Sequence, residues 1–133
     1  MATSNDLPLL LSRVLLGALF VTAGLGKLGD VAGFGGYMAS GGVPAFLAWP
    51  VVLFEILGGL AIIAGALTRP VALALAAFCV LSGALYHFVP ADQMQMTQFL
   101  KNLALAGGFV ALAFAGPGRY AVDARRSGGA TLA

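Results

Sequence analysis

Four long apolar runs divide this 133-residue chain and limit its possible folds more than any other feature. They cover residues 7–26, 45–67, 70–89 and 97–116. A helix that crosses a membrane needs about 20 mostly apolar residues, and all four runs have that length. Charged residues make up only 9% of the chain, whereas a soluble domain carries about a quarter. We therefore predict an all-α fold, an integral membrane bundle of four transmembrane helices that forms one domain over residues 1–133.

The composition excludes several classes of function. A single cysteine, Cys79, allows neither an internal disulfide nor a paired-thiol redox motif, and no spacing suits zinc or an iron–sulfur cluster. The single histidine, His87, excludes bis-histidine haem ligation within one chain. A net charge of +2 does not suggest nucleic-acid binding. We expect no metal and no intrinsic cofactor, and lipid as the main surroundings.

The connections between the runs predict the topology. Residues 68–70 form a tight turn, so the second and third spans should pair as an antiparallel hairpin. The glycine-rich segment 28–44 is expected to be an interfacial loop, with a short helix on the membrane surface or folded back as an alternative. The first run lacks a preceding basic region and is interpreted as a retained anchor.

The arginines predict the orientation of the bundle. With four spans both termini lie on one side, together with Arg69, Arg119, Arg125 and Arg126. The positive-inside rule then places both termini in the cytoplasm.

Polar residues from all four spans should lie at one depth, toward the outer side. They are Lys27, Glu55, His87, Gln98, Lys101 and Asn102. Ionisable residues inside a membrane usually mark functional sites, so this cluster is the candidate site, a pocket for a polar head group. The structural alternative is an ion pair that fixes the register of the helices.

Helical periodicity predicts how the charges face one another. Charged residues share stripes with glycines: Arg13, Gly17, Phe20, Gly24 and Lys27; Glu55, Gly58, Gly59 and Ile62; Gln98, Lys101, Leu105 and Gly108. Small residues mark close helix approaches in lipid, so these stripes should face the bundle interior. We expect Glu55 to pair with Lys101, with Lys27 or with both. Arg13 is interpreted as a side chain that snorkels to the inner end, with an inward-facing role left open.

Four segments in order resemble the DoxX family of small bacterial membrane proteins. They read RVLLGALFVTAGLGK (13–27), FEILGGLAIIAGALTRP (54–70), FLKNLALAGG (99–108) and GPGRYAVD (116–123). The resemblance implies a four-helix protein of the bacterial inner membrane. By match to recurring polar positions of the family, it singles out Arg13, Lys27, Glu55, Lys101 and Asn102. Some relatives resemble the membrane subunit of a thiosulfate:quinone oxidoreductase, and others are linked with thiol or superoxide stress complexes.

Three functions remain open from the sequence. As a quinone-linked oxidoreductase subunit, the chain would use Lys101, Asn102 or His87 to hydrogen-bond a quinone carbonyl and Glu55 to relay a proton. As a non-enzymatic accessory or scaffold protein, it would pack against membrane or peripheral partner subunits or form a homo-oligomer. As a small transporter or lipid-binding protein, it would use the same pocket.

Overall fold

The computed structural model describes residues 4–126, and within that range the regular structure is entirely helical. The helices are α1 (Asp6–Lys27), α2 (Val31–Ser40), α3 (Ala48–Ala64), α4 (Thr68–Tyr86), α5 (Gln93–Ala115) and α6 (Val122–Arg126). Among the described residues, four helices are long and apolar enough to cross a membrane: α1, α3, α4 and α5. The predicted all-α transmembrane fold is confirmed. The predicted domain extends past the described residues at both ends.

Local signals explain where the helices begin and end. Asp92 caps α5, because its Oδ1 accepts hydrogen bonds from the backbone N–H groups of Met94 and Gln95. This cap starts α5 at Gln93, four residues before the predicted span. Gly65 ends α3 with φ of +73°, a conformation that glycine adopts without strain. Pro70 lies in the first turn of α4, where its missing N–H costs no helical hydrogen bond.

The glycine-rich segment is mostly helix rather than loop. A 3₁₀ turn at Leu28–Asp30 leads into α2, and Asp30 caps α2 by accepting from the Gly33 N–H at 2.9 Å. Of the two predicted forms, the one with a short helix is therefore observed. The helix packs on α3, and its Tyr37 ring stacks on Tyr86 of α4 with centroids 4.9 Å apart. The Tyr86 hydroxyl also donates to the Met38 carbonyl at 2.6 Å. Helix α2 therefore covers one end of the bundle.

The four long helices form two closely packed pairs. Helix α1 packs mainly on α3, and α4 packs mainly on α5, whereas the contacts between the pairs are sparse. Gly17 and Gly59 make the first pair possible, because a Cβ on either would lie within 2.7 Å of the other's carbonyl oxygen. Apolar side chains, including Phe20, Ile62, Leu75 and Phe109, fill the centre between the pairs. Two seams, α3/α4 and α1/α5, remain between the pairs.

Arg13 lies at the end of the bundle opposite α2, and the structure buries it completely. Its Nη2 donates to the carbonyl of Tyr120, and Asp123 lies close enough to attract its charge. The prediction that Arg13 snorkels outward is wrong, because the segment after α5 folds back and supplies the Tyr120 carbonyl to its Nη2. The Arg13 side chain instead faces the bundle interior, as the alternative required. Its Nε and Nη1 are buried with no hydrogen-bond partner among the described residues. We call this the Arg13 end and the opposite one the Lys27 end.

The segment after α5 is attached to the Arg13 end by further hydrogen bonds. The Asp123 carboxylate accepts from the backbone N–H groups of Leu67 and Thr68, both at 2.8 Å, and the Asp123 N–H donates to Gly65 at 2.9 Å. At the start of α1, Asp6 accepts from the Arg119 N–H at 3.0 Å. Sequence reasoning did not single out Asp6 or Asp123. Asp123 belongs to the quoted GPGRYAVD segment, which was the available signal.

Candidate functional site

An ion pair between α1 and α3 forms the centre of the candidate site. The Lys27 Nζ lies 2.9 Å from the Glu55 Oε2, so the predicted pairing of Glu55 with Lys27 is confirmed. The Glu55 side chain is 4% exposed and that of Lys27 is 28% exposed. The same ammonium lies 5.1 Å from the centroid of the Phe34 ring on α2, within range of a cation–π interaction. The pair thus joins three helices.

The glycines of the two stripes bring these charges together. Glu55 lies about 10 Å along α3 from Ala48, on the buried face that also carries Gly58 and Gly59. Opposite it on α1, Gly24 packs so closely that a Cβ would meet the Ile56 side chain at 2.5 Å. This close crossing lets the long Lys27 side chain reach Glu55 from the last turn of α1. The predicted inward stripes of α1 and α3 are therefore observed.

A first cavity of about 250 Å³ opens beside the ion pair in the α3/α4 seam, beneath α2. Its walls are mainly aromatic and aliphatic, with the ion pair, Ser82 and His87 as polar groups. The aromatic side chains are Phe34, Tyr37, Phe78 and Tyr86. Half-exposed Leu81 and Leu85 of α4 lie on the lipid side of this seam. An apolar cavity with a few convergent polar groups is the usual form of a small-molecule site.

A second cavity of about 130 Å³ lies in the α1/α5 seam. It is lined by Leu19 and Ala23 of α1 and by Lys101, Asn102 and Leu105 of α5. It shares four lining residues with the first cavity: Lys27, Glu55, Phe78 and Ser82. The ion pair and Phe78 therefore separate two cavities that open on different seams.

The remaining predicted site residues are divided between the two cavities: Lys101 and Asn102 line the second cavity together with the ion pair, and His87 lines the first. Lys101 is exposed where it lines the second cavity, and of the predicted pairings of Glu55 the one with Lys27 is observed rather than the one with Lys101. The reason is rotational: α5 buries Asn102, Ala106 and Phe109, a stripe about 100° around the helix from the predicted one. Gln98 is half-buried and lines neither cavity.

Asn102 and His87 have local partners. The Asn102 amide donates to the Cys79 carbonyl at 3.1 Å and to the Ser82 hydroxyl at 3.2 Å, which links α5 to α4. The His87 Nδ1 lies 2.7 Å from the Gln95 Oε1, and His87 lines the first cavity. Sequence reasoning did not single out Gln95. Its place among the polar residues that precede Lys101 was the available signal.

The chemistry available at the site is proton donation and ionic hydrogen bonding. Among residues 4–126 there is no group of three His, Cys, Asp or Glu side chains that could hold a metal ion. Cys79 is buried in the core. The polar groups that face the first cavity can bind and orient a polar ligand, and Glu55 can exchange a proton.

Comparison with known proteins gives a consistent result. The DoxX family model matches residues 8–88. The inner membrane protein YqjF of Escherichia coli K12 is 44% identical over 119 residues, which cover 90% of this chain and 92% of that protein. The inner membrane protein YphA of the same organism is 34% identical over 125 residues, which cover 88% and 89% respectively. No solved structure matches.

Proposed function

The chain belongs to the DoxX family, and from that premise we propose that it binds the head group of a membrane quinone in the first cavity, as the membrane subunit of an oxidoreductase. One observation carries the proposal: a buried ion pair, Lys27–Glu55, forms the polar wall of a cavity that is otherwise aromatic and open toward lipid. Intramembrane charges are costly, and this pair faces a space large enough for a ligand.

The dimensions and lining of the cavity fit such a head group. Pockets for drug-sized ligands measure about 300–1,000 Å³, so 250 Å³ suits a single substituted ring, with its isoprenoid chain outside in the lipid. Aromatic walls favour a flat ring, because offset and edge-on contacts between ring systems are stabilising. Phe34 and Tyr37 on α2 and Phe78 on α4 supply these walls from two directions.

The polar residues have separate roles in this proposal. The Lys27 ammonium donates to an oxygen of the ligand, and Glu55 holds that ammonium in place. Glu55 also supplies a carboxylate that can take or give a proton at the cavity wall. His87, held by Gln95, provides a second hydrogen-bonding group at the Lys27 end. Of the three residues that the sequence suggested for the quinone carbonyl, only His87 lines this cavity, and we assign Lys27 the role suggested for Lys101 or Asn102.

A bound quinone would supply two-electron, two-proton redox chemistry. Within residues 4–126 the chain offers a buried thiol and no metal-binding group. In this proposal the electrons come from a partner subunit, and the chain itself binds the quinone and handles protons.

The test is to purify the protein gently and measure co-purified quinone and proteins by mass spectrometry. We expect quinone in the wild-type preparation and about tenfold less in Lys27→Gln and Glu55→Gln, since hydrogen bonds to charged groups contribute about 1.5–3 kcal/mol. Lys101→Gln is the matched control, because Lys101 lines only the second cavity and should leave the quinone content unchanged.

A second variant separates loss of binding from loss of folding. Leu85 lines the first cavity and is 52% exposed, so Leu85→Trp should narrow the cavity without disturbing the core. We expect it to lose quinone while its thermal unfolding stays close to that of wild type. A protein that holds no quinone but a stoichiometric partner would instead favour the accessory function. Solute uptake into proteoliposomes would favour a transporter.

A further inference from the structure

We propose that the second cavity, in the α1/α5 seam, binds the anionic phosphate group of a membrane phospholipid, with Lys101 as its main charged contact. This inference goes beyond the quinone proposal and concerns a different opening of the bundle. Its chemistry is that of an acidic glycerophospholipid, with the phosphate at Lys101 and an acyl chain along the seam.

The first argument is charge. Within the part of the chain that the structure describes, Lys101 makes no hydrogen bond and no ion pair. The acidic residues at the Lys27 end of the bundle are already engaged. Glu55 binds Lys27, while Asp30 and Asp92 cap α2 and α5. The charged residues of the cavity, Lys27, Glu55 and Lys101, therefore leave an excess of one positive charge, which complements an anion.

The second argument is depth. Lys101 lies eight residues after Gln93, about 12 Å along α5, and the intervening residues Gln95, Thr97 and Gln98 are polar. This places the polar beginning of α5 at the membrane interface and Lys101 just inside it. A lysine there extends its ammonium toward the phosphate layer. Lys27, the last residue of α1, is at the same end of the bundle.

The third argument is shape. Below Lys101 the cavity is lined by the apolar side chains of Leu19, Ala23 and Leu105. Leu19 is 38% exposed, and α1 and α5 make few contacts, so the seam is open toward lipid. A free phosphate ion would gain nothing from such apolar walls, whereas an acyl chain would pack on them. Charge and shape together therefore favour a lipid.

The test uses a phosphatidylglycerol with a photoreactive acyl chain, incorporated into phosphatidylcholine nanodiscs that contain the full-length protein. We expect cross-links in the peptides that carry Leu19 and Leu105. Lys101→Gln should reduce this labelling about fivefold, the effect expected for one lysine near an anionic lipid. Lys101→Arg should retain it. Arg119→Gln removes an exposed cation at the Arg13 end and should leave labelling of the α1/α5 seam unchanged.

Three results would overturn the proposal. Equal labelling of the seam by a photoreactive phosphatidylcholine would show that charge does not select the ligand. Displacement of phosphatidylglycerol by millimolar inorganic phosphate would assign the site to a free anion. Undiminished labelling of the Lys101→Gln variant would show that Lys101 is not the main charged contact of the lipid. The quinone content of Lys101→Gln should stay normal in every case, so the failure of one proposal is distinguishable from the failure of the other.

Discussion

At the scale of single residues, the Lys27–Glu55 pair is asymmetric. Glu55 is enclosed by α1, α3 and the cavity wall, whereas more than a quarter of the Lys27 side chain is exposed at the end of α1. If Glu55 is neutralised, the lysine can turn toward the interface and recover polar contacts. If Lys27 is neutralised, the buried Glu55 carboxylate cannot reach other polar groups in the same way. The two partners should therefore differ in their contribution to stability.

Lys27→Met should consequently destabilise the protein more than Glu55→Gln. We expect a loss of about 3–5 kcal/mol for Lys27→Met, because a buried charge is left without its partner. For Glu55→Gln we expect about 1.5–3 kcal/mol, the range for one lost hydrogen bond to a charged group. Reversible unfolding in detergent measures both. Equal losses, or a larger loss for Glu55→Gln, would contradict the asymmetry.

Gly65 should tolerate no side chain. An added Cβ would lie 2.0 Å from the Arg13 Nη1 and 2.4 Å from the Ala121 Cβ, and the φ of +73° already disfavours alanine. Gly65→Ala should therefore cost about 2–4 kcal/mol, from strain and overpacking together. The control is Gly107→Ala in α5, where the described structure leaves the position open. That change should be neutral or stabilise by up to about 1 kcal/mol. The thermal unfolding temperatures of the two variants should shift in opposite directions, or by clearly different amounts, relative to that of wild type.

Residue type and helical spacing predicted some site residues and not others. Glu55 and Lys27 were found because both share stripes with glycines that face the bundle interior. Lys101 was misplaced because α5 has flanking small residues on more than one face, and a shift of one position rotates a residue by about 100°. Arg13 was ambiguous because its partners, Tyr120 and Asp123, are more than a hundred positions away. No local pattern reports such a contact.

At the scale of helices, the crossing of α1 and α3 controls the geometry of the site. A Cβ at Gly17 would lie 2.6 Å from the Gly59 carbonyl oxygen, and backbone cannot move aside as a flexible side chain can. Gly17→Ala should therefore separate the two helices and cost about 1–3 kcal/mol. It should also weaken ligand binding in the first cavity. Lys27 is on α1 and Glu55 is on α3, so separating the two helices separates the ion pair.

The matched control for the crossing lies on the same helix. Gly26 has no described atom within 4 Å of an added Cβ, so Gly26→Ala should fold like wild type. Thermal unfolding and cysteine cross-linking between α1 and α3 measure the effect. Equal stability and equal cross-linking of Gly17→Ala and Gly26→Ala would show that the close contact at Gly17 does not set the distance between α1 and α3.

The existence of the long helices followed from the sequence, and their exact limits did not. Apolar runs of about 20 residues predicted α1, α3, α4 and α5, because length and hydropathy are local properties. The start of α5 at Gln93 depends on the Asp92 cap. The polar residues that follow Asp92 lower the local hydropathy, so the apolar run predicted a later start. For α2, three glycines within ten residues disfavour a helix, and helix formation there depends on its packing against α3 and Tyr86.

At the scale of the whole molecule, the orientation in the membrane is the prediction that decides which side the site faces. Applied to the arginines at the Arg13 end, the positive-inside rule predicts that both termini lie in the cytoplasm. A C-terminal alkaline phosphatase fusion should be inactive, and a C-terminal fluorescent protein should be bright. A phosphatase fusion within residues 90–92 should be active and serves as the positive control. Strong phosphatase activity at the C-terminus would reverse the orientation and place the Lys27 end in the cytoplasm.

The pairing of α1 with α3 and of α4 with α5 also bears on how the protein is made. Each pair is contiguous in sequence, so the first can form in the membrane while the ribosome is still producing the second. The segment that holds Arg13 and the turn at Gly65–Thr68 is synthesised after both pairs. A chain released before Tyr120 would have its long helices but would leave the Arg13 guanidinium and the backbone N–H groups of Leu67 and Thr68 without these acceptors. These contacts therefore form only after the segment following α5 has been synthesised, and the Arg13 end stays open until then.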